Sequence, residues 1–387
     1  MKSRNSPAAS LLRASRGRQA QMLRLLKRFV RCESPSHDKA AVDRFGRLVA
    51  GEWRQRGARV SSLRQTTRGN HVRAEVRMGG ANQRGQILVL GHLDTVYPLG
   101  TLSRQPFRVR GGRAWGPGTF DMKGGLVISL GAVDALRAAG IQPRKKIVFL
   151  WTTDEEIGSA TSRRAIEREA LRSDAVLVLE PALGRGGRLK TARKGVGGAE
   201  IIVTGRSAHA GVDPEKGVNA VHELSLQIAR LMQMNNPRRG ITVQATVVKG
   251  GTTSNVIPAE ARAQVDIRFA RMADAKVAEQ KVRGLRPILK GARVTMRIYP
   301  NRPPLERTAK VRSLFRQAQA IAREMGMPLG EAATGGGSDG NFTAALGIPT
   351  LDGLGAVGDG AHSPREHIVI RKLPERAALL AALLATL

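Results

Sequence analysis

A chain of 387 residues carries 64 Lys and Arg against 31 Asp and Glu, a formal charge of +33, with 41% hydrophobic residues and 44 glycines. The length suits two domains, and the apolar content excludes a disordered polycation. A single cysteine, Cys32, excludes a disulfide scaffold and a thiolate metal site and points to a reducing, cytoplasmic setting.

No acid precedes Glu33, and residues 1–20 read as a solvated basic arm leading into a helix near 21–31, with Cys32 as a buried helix residue. No apolar stretch follows those charges, so a signal peptide is not expected. The longest apolar runs, such as 377–387, fall short of the ~20 residues a membrane span needs, so no membrane partner is expected. Aromatics are only 3% and the arginines are scattered along the whole chain, which leaves little material for base stacking. Nucleic acid is therefore not expected as the primary partner.

The acids carry more information than the bases. Between residues 76 and 166 there are six: Asp94, Asp121, Asp134, Asp154, Glu155 and Glu156. Residues 87–91 (ILVLG) form a continuous apolar run, and His92-Leu93-Asp94 follows directly. Residues 147–151 (IVFLW) lead into Thr152-Thr153-Asp154-Glu155-Glu156, and 175–179 (AVLVL) lead into Glu180. Short runs of this kind are what strands buried on both faces of a parallel sheet look like, and helical patterns at 122–139 and 162–171 separate them. Three strands thus deliver polar groups at their carboxyl ends, where open α/β sheets bind ligands.

That set has a definite chemistry. His92 and Asp94, two apart in extended chain, share a side, so Asp94 is either the ring's partner or a ligand itself. Asp121 lies among glycines (GPGTFDMKGG, 116–125) just before a helix, in a turn that can aim one carboxylate into a cleft. Adjacent Glu155 and Glu156 offer one ligand and one free base. Carboxylates and imidazole without thiolate suit catalytic zinc, cobalt or manganese.

After Glu180 a Gly-rich stretch leads into a strand (199–204), a helix (218–234), two strands (241–249, 261–269), a helix (273–289) and a strand (293–299). This βαββαβ order is ferredoxin-like. The expected organisation is therefore a basic arm at 1–20, a catalytic domain at 21–192 and 303–387, and an inserted domain at 193–302. The fold class is α/β, a doubly wound mixed sheet with a ferredoxin-like insert.

The motifs GHLDTV (91–96), GPGTFDMKGG (116–125), TDEEIGS (153–159), LEP (179–181), SAHAG (207–211), SNVIPA (254–259), GGGSDGN (335–341) and DGLGAVGDGAHSPREH (352–367) resemble the co-catalytic zinc peptidase/aminoacylase family. That family includes glutamate carboxypeptidases, aminoacylases, acetylornithine deacetylases and succinyl-diaminopimelate desuccinylases, and the nearest likeness is to the glutamate carboxypeptidases. It runs from about residue 23 to the last residues. The resemblance implies a zinc-exopeptidase-like fold and two Zn2+ per subunit, with Co2+ or Mn2+ as alternatives. Asp121 would bridge the ions, His92 and Glu180 would complete one, and Glu156 and His362 the other. Asp94 would orient His92, and Glu155 would be general base toward the water held by the two metals.

The insert would be a lid and homodimerisation domain whose His209 reaches the neighbouring subunit's site and stabilises the oxyanion. Asn255 and Arg268 would hold the substrate carboxylate near the amides of Gly336 and Gly337. Arg188 lies where glutamate-specific members carry a cation for the substrate side chain. His37, His71, His222 and His367 are left as surface or packing residues. The implied activity is hydrolysis of the amide bond to a C-terminal acidic, glutamate-like amino acid in peptides or N-acyl amino acids. The alternative is N-acyl-amino-acid deacylation of the acetylornithine deacetylase or desuccinylase type. A two-metal phosphodiesterase and a non-catalytic basic binding protein are the rivals from other classes.

Overall fold

A computed structural model describes residues 6–79 and 83–387. The chain divides into two compact units. The first comprises Met1–Thr191, Arg307–Ala333 and Ser338–Leu387, and the second comprises Ala192–Glu306 with Thr334–Gly337.

The first unit is built on a six-stranded sheet in the order Arg59–Leu63, His71–Val76, Lys146–Thr152, Gln86–His92, Ala175–Val178, Thr350–Leu351. The four strands from Lys146–Thr152 onward run parallel, and the two at the other edge are antiparallel. Every residue of Gln86–His92 is buried, as a strand covered on both faces requires. The register places His92 beside Thr152 and Leu90 beside Val178. Consequently His92, the residues after Thr152, and Glu180 all leave the sheet at one edge.

The helix Gly124–Ala138 starts at that edge and is buried along most of its length. It packs against the helix Lys372–Thr386, itself buried from Leu373 to Leu384. The helix Lys39–Gln55 brings Trp53 onto Phe149 of the strand Lys146–Thr152, with ring centres 4.1 Å apart.

The expected solvated arm is instead the helix Pro7–Arg16, packed against Lys372–Thr386; residues 1–5 lie outside the described residues. Ser6 caps it by accepting from the Ala9 amide at 3.2 Å. Ala8, Leu11, Leu12 and Ser15 form a buried stripe at helical spacing, which the flanking arginines obscure when the segment is read for charge. The next helix runs Gln19–Val30, so Cys32 falls beyond its end and is only half-buried, not a buried helix residue.

The second unit is a four-stranded antiparallel sheet in the order Thr242–Gly250, Glu260–Phe269, Gly195–Thr204, Arg293–Arg302. The helices Ala220–Met232 and Met272–Arg283 pack on it. In Glu260–Phe269 the residues Ala261, Ala263, Val265, Ile267 and Phe269 are buried and alternate with more exposed polar ones, the pattern of a sheet covered on one face.

Candidate active site

His92 ends its strand fully enclosed. Its Nδ1 lies 2.9 Å from the Asp94 carbonyl oxygen and 3.5 Å from the Asp94 carboxylate. Donation to that carbonyl leaves Nε2 as the open lone pair, and Nε2 sits 3.1 Å from Asp121 Oδ1 and 3.5 Å from Glu180 Oε1. The Asp94 carboxylate accepts from Ser36 Oγ at 2.8 Å and from the amides of Glu155 and Glu156 at 3.3 and 3.2 Å. Asp94 therefore ties the end of one strand to the turn that follows its neighbour.

Asp121 stands in the turn before Gly124–Ala138, with its second oxygen, Oδ2, 3.4 Å from His362 Nε2. Gly118 in that turn has φ +71°, and a Cβ there would come within 2.9 Å of Thr95, so a side chain is excluded on both counts. Glu156, on the short turn Glu155–Ile157, places Oε2 3.2 Å from His362 Nε2. Glu155 is half-buried beside it.

Two donor groups result, His92 with Asp121 and Glu180, and Asp121 with Glu156 and His362. In each the donor atoms lie within 4.8 Å of one another. Asp121 belongs to both and offers a different oxygen to the histidine of each. Burial alone would lower the pKa of His92, but the carboxylates of Asp121, Asp94 and Glu180 raise it well above the usual imidazole range. Asp121 and Glu156 push His362 up to about 10. Against the opposing effect of burial, the two rings hold Asp121 below the usual carboxylate range, whereas burial raises Glu156.

These donors fit a pair of divalent cations. Imidazoles and carboxylates converge, and among the described residues the buried Oε1 of Glu156 has no hydrogen-bond partner. A cation would replace the protons that the two rings otherwise hold there.

The remaining expected residues fall as follows. In the second unit His209 is exposed, and its Nδ1 accepts the amides of Gly211 and Val212 at 3.2 and 3.1 Å, which leaves Nε2 to carry the ring proton. Asn255 is brought beside it, its carbonyl accepting the Ala210 amide at 2.8 Å. Arg268 is held in a fork by Asp266 at 2.8 and 2.9 Å. Gly336 and Gly337 present their carbonyls to Arg193 Nη1 at 3.0 and 2.9 Å. Arg188 of the first unit is exposed on the turn after Leu183, close to where a Cβ on Gly184 or Gly330 would sit.

Two buried residues escaped the sequence reading, Arg193 and Glu366. The signals for Glu366 were its place in the DGLGAVGDGAHSPREH motif (352–367) and an acid four residues past His362 in a chain poor in acids.

Residues 88–386 match the peptidase family M20/M25/M40. The chain is 32% identical to carboxypeptidase G2 of Pseudomonas sp. (strain RS-16), over 97% of this chain and 92% of that one. It is 30% identical to succinyl-diaminopimelate desuccinylase of Dechloromonas aromatica (strain RCB), over 77% and 82% of the two chains. Its fold is similar to that of the Bacillus subtilis YXEP protein, a dinuclear metal-binding peptidase of the M20 family. The TM-score is 0.69 at 17% identity, covering 96% of this chain and 98% of that one. The protein belongs to peptidase family M20/M25/M40 and is a metal-dependent hydrolase.

Proposed function

We propose that the protein hydrolyses the amide bond linking an acyl or peptidyl group to a C-terminal acidic amino acid, and that His92, Asp121 and Glu180, with Asp121, Glu156 and His362, are the residues that would hold a pair of divalent ions. The observation that carries this is the position of Asp121, one oxygen toward each histidine, with Glu155 next to the Glu156 ligand. Held by these residues, divalent ions would supply Lewis-acid polarisation of the amide carbonyl and a lowered pKa for water. Zinc suits this nitrogen and oxygen donor set.

The protein's own groups do the rest. Glu155 takes a proton from the attacking water and returns it to the leaving nitrogen. Asp94 fixes the His92 ring through its carbonyl and holds the Glu155–Glu156 backbone through its carboxylate. His209 presents an Nε2–H suited to a developing oxyanion. The likeness to carboxypeptidase G2 along nearly the whole chain supports release of a C-terminal residue. For an acidic one, Arg188 and Arg268 are the candidate cations, with Asn255, Gly336 and Gly337 as the candidate groups for its carboxylate. A homodimer through the second unit and a cytoplasmic location, the latter supported by the lone Cys32, belong to the same reading.

The test is amide hydrolysis by zinc-loaded protein across N-acyl amino acids that differ only in the C-terminal residue. Faster release of glutamate or aspartate than of neutral residues is the expected result. Preferential release of basic or neutral residues would transfer the site to a deacylase or desuccinylase, the reading favoured by the second relative.

A further inference from the structure

The loop between the bridging strands Gly358–Asp359 and His367–Val369 carries more than His362. Glu366 is 1% exposed although its neighbour Arg365 is exposed and the chain holds twice as many basic as acidic residues. Among the described residues its carboxylate makes no ion pair. Instead it collects backbone amides: Gly118 N on Oε2, and Phe120 N and Asp121 N on Oε1, each at 2.8 Å. Its own carbonyl accepts from Gly116 N at 3.2 Å, and its amide donates to Ser363 O at 3.1 Å. Tyr97 Oη donates to the same Ser363 carbonyl at 3.1 Å. One short loop therefore presents His362, at φ +59°, toward the second donor group and grips, four residues later, the turn that supplies Asp121.

We infer that Glu366 is a positioning residue for the metal pair: it fixes the 118–121 turn so that Asp121 offers one oxygen to each donor group, and it locks that turn to the loop of His362. The inference rests on the proposed reading of Asp121 and His362 as ligands. Amide donors fix a carboxylate's position more tightly than a flexible arginine would, because each N–H belongs to the backbone that must be placed. Loss of a partner that orients metal ligands costs about 10–100-fold in metal affinity.

The experiment is calorimetric titration of the metal-free full chain with Zn2+, together with the visible spectrum of the Co2+-loaded form, for the wild type, Glu366→Gln and Glu223→Gln. Glutamine keeps the length of the side chain but turns an NH2 toward the Gly118 or the Phe120 and Asp121 amides. Glu223 is the control. It is a fully buried carboxylate of the second unit that likewise accepts backbone amides, from Ile288 and Leu289.

Glu366→Gln should bind Zn2+ about 10–100-fold more weakly and shift the cobalt spectrum, whereas Glu223→Gln should leave both unchanged. A folded Glu366→Gln with wild-type affinity and spectrum overturns the inference, as does an equal loss in Glu223→Gln. If circular dichroism shows Glu366→Gln unfolded, Glu366→Asp decides, since it keeps the charge and shortens the reach. Weakened binding supports the positioning role, and unchanged binding overturns it. A wild-type chain that binds no metal would instead overturn the ligand assignment beneath it.

Discussion

Two sets of acids, one in each unit, are disposed in opposite ways. In the second unit, four carboxylates meet arginine: Asp266 with Arg268, Glu260 with Arg262, Glu279 with Arg283, Asp274 with Arg239. At the site edge of the first unit, the carboxylates of Asp121 and Glu156 face imidazoles, and those of Asp94 and Glu366 face hydroxyls and backbone amides. With 64 cations in the chain, an acid without one is conspicuous. Of the first kind, the exposed pairs Glu260–Arg262 and Glu279–Arg283 contribute at most about 1 kcal/mol each, so their variation is cheap. The second kind fixes geometry, and its alteration is expensive in function.

The sharpest way to break this contrast is Asp121→Ala. It should prevent tight binding at both metal positions and abolish hydrolysis, read by elemental analysis of dialysed protein; two ions retained per chain would place the bridge elsewhere. Glu155→Gln should behave differently. Metal content stays at the wild-type level while kcat falls by about 10²–10⁴-fold, the usual range for a missing acid/base group.

A third comparison concerns the sheets themselves. Leu90, enclosed on a strand buried on both faces, should cost about 2–5 kcal/mol on truncation to Ala. Val247, exposed on the strand Thr242–Gly250, should cost no more than about 0.5 kcal/mol. Urea unfolding measures both, and equal losses would erase the distinction between the sheets.

The smallest effect is a pH dependence. Burial lowers the pKa of His71 below its ordinary value near 6.5 despite the pull of Asp154. The folded chain thus binds fewer protons at this site than the unfolded chain does. The stability associated with a neutral His71 is present above about pH 6.5 and is lost as the pH falls from there toward the lowered value, by at most about 1.4 kcal/mol per pH unit. His71→Gln should therefore flatten this part of the acid slope in urea unfolding at constant metal concentration. An unaltered slope would show that the ring titrates normally.

What was legible in the sequence follows from locality. His92, Asp94, Glu155, Glu156 and Glu180 each follow an apolar run directly, so a strand-end reading finds them without any knowledge of the fold. The pairing of Asp121 with His362 spans 241 positions and came only through the family resemblance. Glu366 stayed hidden because it grips the backbone amides of Gly118, Phe120 and Asp121, and backbone groups have no sequence signature; the same holds for the contacts of Arg193 with the Gly336 and Gly337 carbonyls. The helix Pro7–Arg16 was misread because Arg13 and Arg16, and the basic residues that follow it, drew the reading toward charge and away from the apolar positions that drive its packing. Charge reports on the exposed face, whereas burial is decided by the spacing of Ala8, Leu11 and Leu12.

The interleaving of the first unit has a consequence for synthesis. Residues 192–306 leave the ribosome before the helix Lys372–Thr386 exists to cover Gly124–Ala138, and before His362 can join Asp121 and Glu156. The second unit can thus fold while the first is still open along its central helix, exposing apolar surface that attracts chaperones or aggregates. The second donor group is among the last features completed, since a nascent or shortened chain that lacks His362 cannot assemble it.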